Sequence, residues 1–424
     1  MPDKPPTIGG DPLSLPRRAR AGNPSPQALE GVRIIDFTRL LAGPLATQIL
    51  ADFGAEVIKV EMPGRGDDAR TSMPDPQIGG ESAFYLSLNR NKKSVTLDLR
   101  HPEGRQVAYD LISTADIVVE NFNSRVMRGF KLDYESLSAD FPRLIYCAVS
   151  AYGRSGSMSE VAGVDSPVTA DSGMASLNAR PGERPVMNAV PMTDTTTGMY
   201  AAMAILLALQ ARERTGRGQM VEAAMYDCAL TTLGFRGYEY LISGREPELT
   251  PLQFRRGTPR GQFDTKDGAI WIIAGLDKMF AAFARHVVDR PDWVEDPRFR
   301  DAASRTEHAD CLNSEIGQAF LTQRSDYWVE RCRKAGVPCG ALRSVGEALS
   351  SPFTAERELV YAVDHPTAGA VPVIASPIKM HGTPAAVASA PPLLGQQTEK
   401  VLKELLGYDD AQISGLVDLG VVSV

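Results

Sequence analysis

The sequence predicts an α/β protein: a doubly wound parallel sheet in a large domain, with a smaller α+β domain set into the later part of the chain. Three observations carry this. Short β-rich runs alternate with helix-length, apolar-periodic segments through the first half. Gly and Pro fall where those helices should start and stop. After about residue 245 the character changes, and all three Trp (Trp271, Trp293, Trp328) lie there.

Val32-Arg33-Ile34-Ile35-Asp36-Phe37 reads as the first strand. Gly43-Pro44 then opens a helix to Asp52, with Pro in the first turn, where its missing N–H has no partner to lose. Gly54 is placed to end it. Glu56-Val57-Ile58-Lys59-Val60-Glu61 is the second strand, and residues 94–98, 116–120 and 144–149 are the next three. Between them, residues 103–113 put Val107, Leu111 and Ile112 on one helical face. Residues 195–213 form the strongest helix, and the apolar stretch from Met199 to Leu209 reads as buried. Thr215-Gly216-Arg217-Gly218-Gln219 turns into a short strand, Met220-Val221-Glu222-Ala223. The domains therefore read as a tail over 1–28, a large domain over 29–244, a small domain over 245–340, and a return to the large domain over 341–424. The turn Gly336-Val337-Pro338-Cys339-Gly340 marks the return.

The chain has 424 residues and a net charge of −7. This mild acidity argues against nonspecific nucleic-acid binding. No run reaches the ~18 apolar residues of a membrane span. The Pro-rich tail lacks the apolar core of a secretory signal. Five scattered Cys make no disulfide framework and no zinc ribbon, which fits a reducing cytoplasm. The five His are dispersed, so no metal site is expected. The first βα turn, Asp36 through Pro44, lacks GxGxxG, which disfavours a nicotinamide cofactor and leaves only Gly43 to approach a phosphate. No GxSxG elbow is present.

Two segments carry charge or chemistry. Arg90-Asn91-Lys92-Lys93-Ser94 is either a solvated loop or a clamp for a nucleotide-like phosphate. Asp194, in Pro191-Met192-Thr193-Asp194-Thr195-Thr196-Thr197-Gly198, precedes the long helix. It is either the N-cap or a covalent nucleophile, since a helix N-terminus favours the carboxylate form. Asp165 is placed to cap the segment after it.

The segments together resemble class III coenzyme A transferases, the CaiB–BaiF family. The resemblance rests on Leu29-Glu30-Gly31-Val32-Arg33-Ile34-Ile35-Asp36-Phe37, Ala42-Gly43-Pro44 and the run from Leu50 to Glu61. Leu88-Asn89-Arg90-Asn91-Lys92-Lys93-Ser94, Glu120-Asn121-Phe122, the Thr215–Gln219 turn and Leu393-Leu394-Gly395 add to it. Each motif is weak alone; their order and spacing are specific. The resemblance implies a Rossmann-like large domain, an interlocked ring-like homodimer, and acyl-CoA and a carboxylic acid as substrates, with no tightly bound cofactor. It assigns Asp194 as the residue that carries anhydride and aspartyl-CoA intermediates. It places Leu97, Asn121, Phe122 and Met225 against CoA, with Arg100 and Arg128 as basic contacts, Lys92 and Lys93 as weaker phosphate ligands, and Arg65 as a substitute ligand.

Departures narrow the reading. Val164 stands where the racemase branch has the His that moves an α-proton, so 2-methylacyl-CoA racemisation is a minor alternative. Leu41 replaces a Gln of formyl-CoA transferases, and Arg255-Arg256-Gly257-Thr258-Pro259-Arg260-Gly261 replaces their glycine run. Met62 and Arg125 also depart from the usual residues. A CoA-binding subunit without turnover is the second reading. An active carboxylate at 194 separates it from a CoA-transferase working from succinyl-CoA or another short acyl-CoA.

Overall fold

The structure is a computed structural model, and it describes residue 15 and residues 26–424. Almost all of the expected tail therefore lies outside the described residues. The chain divides into two compact units. Among the described residues, one comprises 26–174, 187–242 and 352–424; the other comprises 175–186 and 243–351.

The large unit begins with alternating elements: β1 (Arg33–Asp36), α1 (Ala42–Asp52), β2 (Glu56–Glu61), α2 (Ala69–Ser72), α3 (Ala83–Leu88), β3 (Lys92–Thr96) and α4 (Pro102–Ser113). Next come β4 (Ile117–Glu120), α5 (Ser124–Phe130), α6 (Tyr134–Leu137), β5 (Ile145–Ser150), α7 (Asp165–Asp171), α8 (Met192–Thr215), β6 (Met220–Ala224), α9 (Met225–Thr232) and α10 (Phe235–Ser243). The six strands form one wholly parallel sheet in the order β3-β2-β1-β4-β5-β6. Both faces are covered, so central strands carry unbroken apolar runs: Ile117, Val118 and Val119 are all fully buried. Ala46 and Leu50 of α1 pack with Ala201 and Ile205 of α8 over one face. Val107 and Leu111 of α4 join the opposite core. Strand order reverses between β1 and β4, the place where ligands bind in open α/β sheets.

The second unit holds a three-stranded antiparallel sheet of β7 (Arg260–Asp264), β8 (Ala269–Ile273) and β9 (Cys339–Ala341). With it are α11 (Asp277–His286), α12 (Ala302–Glu307), α13 (Ala309–Phe320), α14 (Ser325–Lys334) and α15 (Val345–Leu349). Phe263, Phe283, Trp293, Phe320 and Trp328 fill its core. The turn at 336–340 does not lead back to the large unit. It delivers Cys339 to a register opposite Ile272, and the second unit continues to residue 351.

The return comprises α16 (Pro352–Glu356), a hairpin of β10 (Val360–His365) and β11 (Gly369–Ile374), α17 (Thr398–Leu406) and α18 (Asp410–Asp418). It finishes the outer edge of β3. Ser94 N–H donates to Gln397 Oε1 at 2.8 Å, and Gln397 N–H donates to the Ser94 carbonyl at 3.0 Å. Thr96 N–H donates to Thr398 Oγ1 at 3.0 Å, and the Gly395 N–H donates to Ser94 Oγ at 2.9 Å. The motifs around Ser94 and Gly395, far apart in sequence, thus meet to cap a sheet edge.

Helix α8 corrects one expectation. Ala201, Ala202, Ile205 and Ala208 are buried, but Met199, Tyr200, Met203, Leu206 and Leu207 form an exposed stripe, Leu207 at 72%. On α10 no residue is buried, and Leu241 and Ile242 are 77% and 83% exposed.

Candidate active site

Loops leaving the carboxyl ends of β1, β4, β5 and β6 meet the first turns of α7, α8 and α9 around a pocket of about 280 Å³. Leu40, Leu41 and Ala42 line it from β1, Asn121 from β4, Ser150 and Ala151 from β5. Gly163, Val164 and Asp165 line it ahead of and within α7, Asp194 from α8, and Met225 from α9.

Asp194 is not the N-cap of α8. The helix starts two residues earlier, at Met192 behind Pro191, so Asp194 sits inside the first turn and its side chain makes no cap bond. Its N–H is instead accepted by Asp165 Oδ2 at 3.0 Å. Asp165 therefore does cap a helix, but α8 rather than its own. Burial, with the facing charge of Asp165, pushes the Asp194 carboxyl up to about 7.

Two helices must approach closely for this pocket to form. A Cβ on Gly198 would lie 2.6 Å from the Ala42 carbonyl and 3.1 Å from Leu45 Cβ. Glycine there lets α8 rest on the first turn of α1. Gly43 serves the same packing: a Cβ would strike the Thr38 side chain at 2.4 Å, so its missing side chain makes room for Thr38, not for a phosphate.

The β1–α1 loop is fixed residue by residue. Asp36 Oδ1 accepts the Thr38 N–H at 2.9 Å. Asn121 accepts the Arg39 N–H at 2.9 Å and returns a bond to the Arg39 carbonyl at 2.8 Å. Asp67 Oδ1 accepts the Leu40 N–H at 3.0 Å. Arg39, the single cation lining the pocket among the described residues, rests its guanidinium 4.8 Å over Phe122 and 3.3 Å from Asp68. Phe122 is positioned by Glu120 and Arg154: its N–H donates to Glu120 Oε2, and its carbonyl accepts from Arg154 Nη1, both at 2.8 Å. Arg154 pairs with Glu120 at 2.5 Å, yet burial still drives the Glu120 carboxyl up to about 7.

The other predicted ligands separate into two groups. Arg65, Arg100 and Arg128 lie on exposed surface, held by Asp68, Asp98 and Glu160 respectively, with Arg65 and Arg100 each 72% exposed. Arg65 and Arg39 share Asp68. Met62, beside the Arg100 guanidinium at 3.7 Å, occupies part of that rim. Lys92 and Lys93 are different, because both sit at the amino end of β3, away from the strand ends that carry the pocket. Lys92 is fully buried and bonds Asp36 at 3.2 Å, the Pro44 carbonyl at 2.9 Å and Asn89 at 3.0 Å. Burial drops its ammonium to about 8. It is an internal strut and not a phosphate ligand. Lys93 pairs with Glu56. Arg90 grips Asp52 through two nitrogens, at 2.9 and 2.6 Å, so the basic run is structural. Leu97 is 2% exposed as a whole residue, packs within the core and donates its N–H to the Glu61 carbonyl at 2.7 Å, so it does not line the pocket.

Sequence reading passed over Arg39, Asp67 and the Glu120–Arg154 pair. Glu120 stood inside a quoted motif, but its partner lies 34 residues away and nothing local marks it. Among the described residues, no group of His, Cys, Asp and Glu could hold a metal, and no helix is long and apolar enough to cross a membrane.

A half-buried carboxylate in a pocket at the switch point of a doubly wound sheet, walled by helix N-termini, suits an enzyme that handles an anionic or activated acyl substrate. CoA-transferase family III matches residues 29–398, and the chain belongs to that family of enzymes. Human succinyl-CoA:glutarate CoA-transferase is 35% identical over 93% of this chain and 90% of its own. Formyl-CoA:oxalate CoA-transferase of Rhodopseudomonas palustris is 31% identical over 93% of this chain and 97% of its own. A CaiB/BaiF family protein of Brucella suis has the same fold, with a TM-score of 0.81 at 32% identity, covering 89% of this chain and 99% of its own.

Proposed function

We propose that the protein moves coenzyme A from succinyl-CoA, or another short acyl-CoA, to a carboxylic acid through an aspartyl-CoA thioester on Asp194. The observation that carries this is the placement of Asp194: half-buried in the first turn of α8, lining a pocket with Asn121 and Met225. The Asp194 carboxylate attacks the thioester carbonyl, the C–S bond breaks, and CoA thiolate leaves an acyl–aspartyl anhydride. The thiolate then attacks the aspartyl carbonyl, releasing the donor acid and forming aspartyl-CoA. The acceptor carboxylate attacks that thioester, and the same steps run in reverse. No net proton or redox change is needed. CoA reaches the site past Arg39 and Phe122, with Arg65, Arg100 and Arg128 available to its phosphates. Trapping Asp194 as a CoA adduct released by hydroxylamine tests the intermediate directly; an adduct on any other residue would overturn it.

Only the carboxylate attacks, so kcat/KM for the acyl-CoA should rise with pH through about 7, where burial and Asp165 hold Asp194, and level off above. Asp165→Asn removes the facing charge and keeps an oxygen to accept the Asp194 N–H. The midpoint should then move to lower pH. A profile flat from about pH 5 to about pH 9 would assign the attack to another group.

The homodimer is proposed on the exposed stripe of α8 together with Phe235, Tyr238, Leu241 and Ile242 of α10, an apolar surface in need of a partner. Light scattering should give a particle of twice the 45.8 kDa chain at all accessible dilutions. A persistent monomer would remove this proposal.

A further inference from the structure

The β1–α1 loop meets the pocket through one residue in an uncommon conformation. Leu40 has φ +66°, the left-handed region that a leucine occupies only when its surroundings enforce it. The next two residues, Leu41 and Ala42, begin α1 and line the pocket with Asp194. What enforces the turn comes from a different segment. Asp67, 1% exposed, accepts the N–H of Leu40 and the N–H of Ala69 on Oδ1, each at 3.0 Å. Its Oδ2 faces the fully buried Lys59 ammonium at 2.8 Å, and Lys59 donates to the Thr38 carbonyl at 2.7 Å. Glu61 fixes Asp67 in turn by accepting its N–H at 3.0 Å. The pair therefore grips the loop on both sides of Arg39, at a carbonyl and at an N–H.

We propose that Asp67 is a positioning residue for CoA transfer: by holding the Leu40 N–H it keeps the β1–α1 loop in the left-handed turn that forms one wall of the Asp194 pocket. In a pocket that transfers CoA, as read above, this wall sets where the acyl group lies against Asp194. Asp67 touches no substrate; it acts through Leu40.

The test uses succinyl-CoA and glutarate with the full-length chain. Asp67→Ala should lower kcat/KM by about 10- to 100-fold at temperatures where the variant remains folded, the scale set by a misplacement of about 1 Å. Adding Leu40→Gly to Asp67→Ala should recover part of that loss, because glycine takes the left-handed turn without a holder. A merely structural Asp67 would give no such recovery. Should Asp67→Ala fail to fold, Asp67→Val, which likewise has no side-chain acceptor, and its pair with Leu40→Gly carry the same comparison. Rates for Asp67→Ala or Asp67→Val within about twofold of the unmodified protein, or a loss that Leu40→Gly leaves untouched, would overturn the assignment. If the unmodified protein transfers no CoA, the functional reading fails on its own. Hydrogen exchange over residues 38–42 then decides the loop: faster exchange in Asp67→Ala supports the hold, and unchanged exchange removes it.

Discussion

Asp194→Asn is expected to stop CoA transfer while making the folded chain more stable. The activity loss should be at least about 10³-fold, since a neutral amide does not form the anhydride. The stability change follows from the pKa. The Asp194 carboxyl, ordinarily near 3.8, is raised to about 7 by burial and by Asp165. Between those values the unfolded chain has lost the proton and the folded chain still binds it, so stability falls as pH rises through this window and is constant above it. Asn carries no such penalty. The melting temperature of the Asn variant should therefore exceed that of the unmodified protein above pH 7, and the gap should close by about pH 4. The helix dipole acts in the opposite sense, by about 0.3–1 kcal/mol, too little to keep this carboxyl at its ordinary value. Since the side chain makes no cap bond, loss of a cap does not complicate the comparison. Near-normal transfer by freshly prepared Asn protein, checked by mass for deamidation, would sink the mechanism.

Gly198→Ala is expected to damage both stability and turnover. In an unobstructed helix the change should stabilise by roughly 0.5–1 kcal/mol. At 198 the new Cβ meets a backbone oxygen at 2.6 Å, and backbone yields only if α1 and α8 move apart. Overpacking of this kind costs about 1–3 kcal/mol. Ala42 and Asp194 stand on those two helices, so the shift also opens the pocket, with an expected fall in kcat/KM approaching about 100-fold. Gly317→Ala supplies the contrast: it lies within α13 with nothing within 4 Å of a new Cβ, and it should raise the melting temperature. Equal effects at both positions would show that helix propensity, not close approach, governs position 198.

The parts legible in the sequence were those governed by local pattern. β2 spans Glu56–Glu61, as its β-rich run indicates, and α1 ends at Asp52 before Gly54. The third strand sits two residues earlier than expected, at Lys92–Thr96, because the Asp98 N–H leaves the ladder for the Val421 carbonyl. What stayed hidden depends on distant partners. Lys92 in a basic run reads as solvated, and only Asp36, 56 residues earlier, makes it an internal strut. An apolar helix such as α8 reads as core, because hydrophobicity alone does not distinguish a covered face from an exposed one. Asp194 carries the motif position, but whether it caps a helix depends on where Pro191 starts that helix. The grip of Asp67 on Leu40 crosses 27 residues and has no local mark.

The edge of β3 has a consequence for synthesis. Thr96 is held by Thr398, 302 residues further along the chain. At about 5–20 residues per second, a ribosome takes roughly 15–60 s to make that interval. Throughout it the nascent sheet presents an open strand, with the donors of Ser94 and Thr96 unpaired. The large unit is then not finished in the order in which it is made: its first-built edge is closed by one of its last-built segments, after the second unit has already emerged.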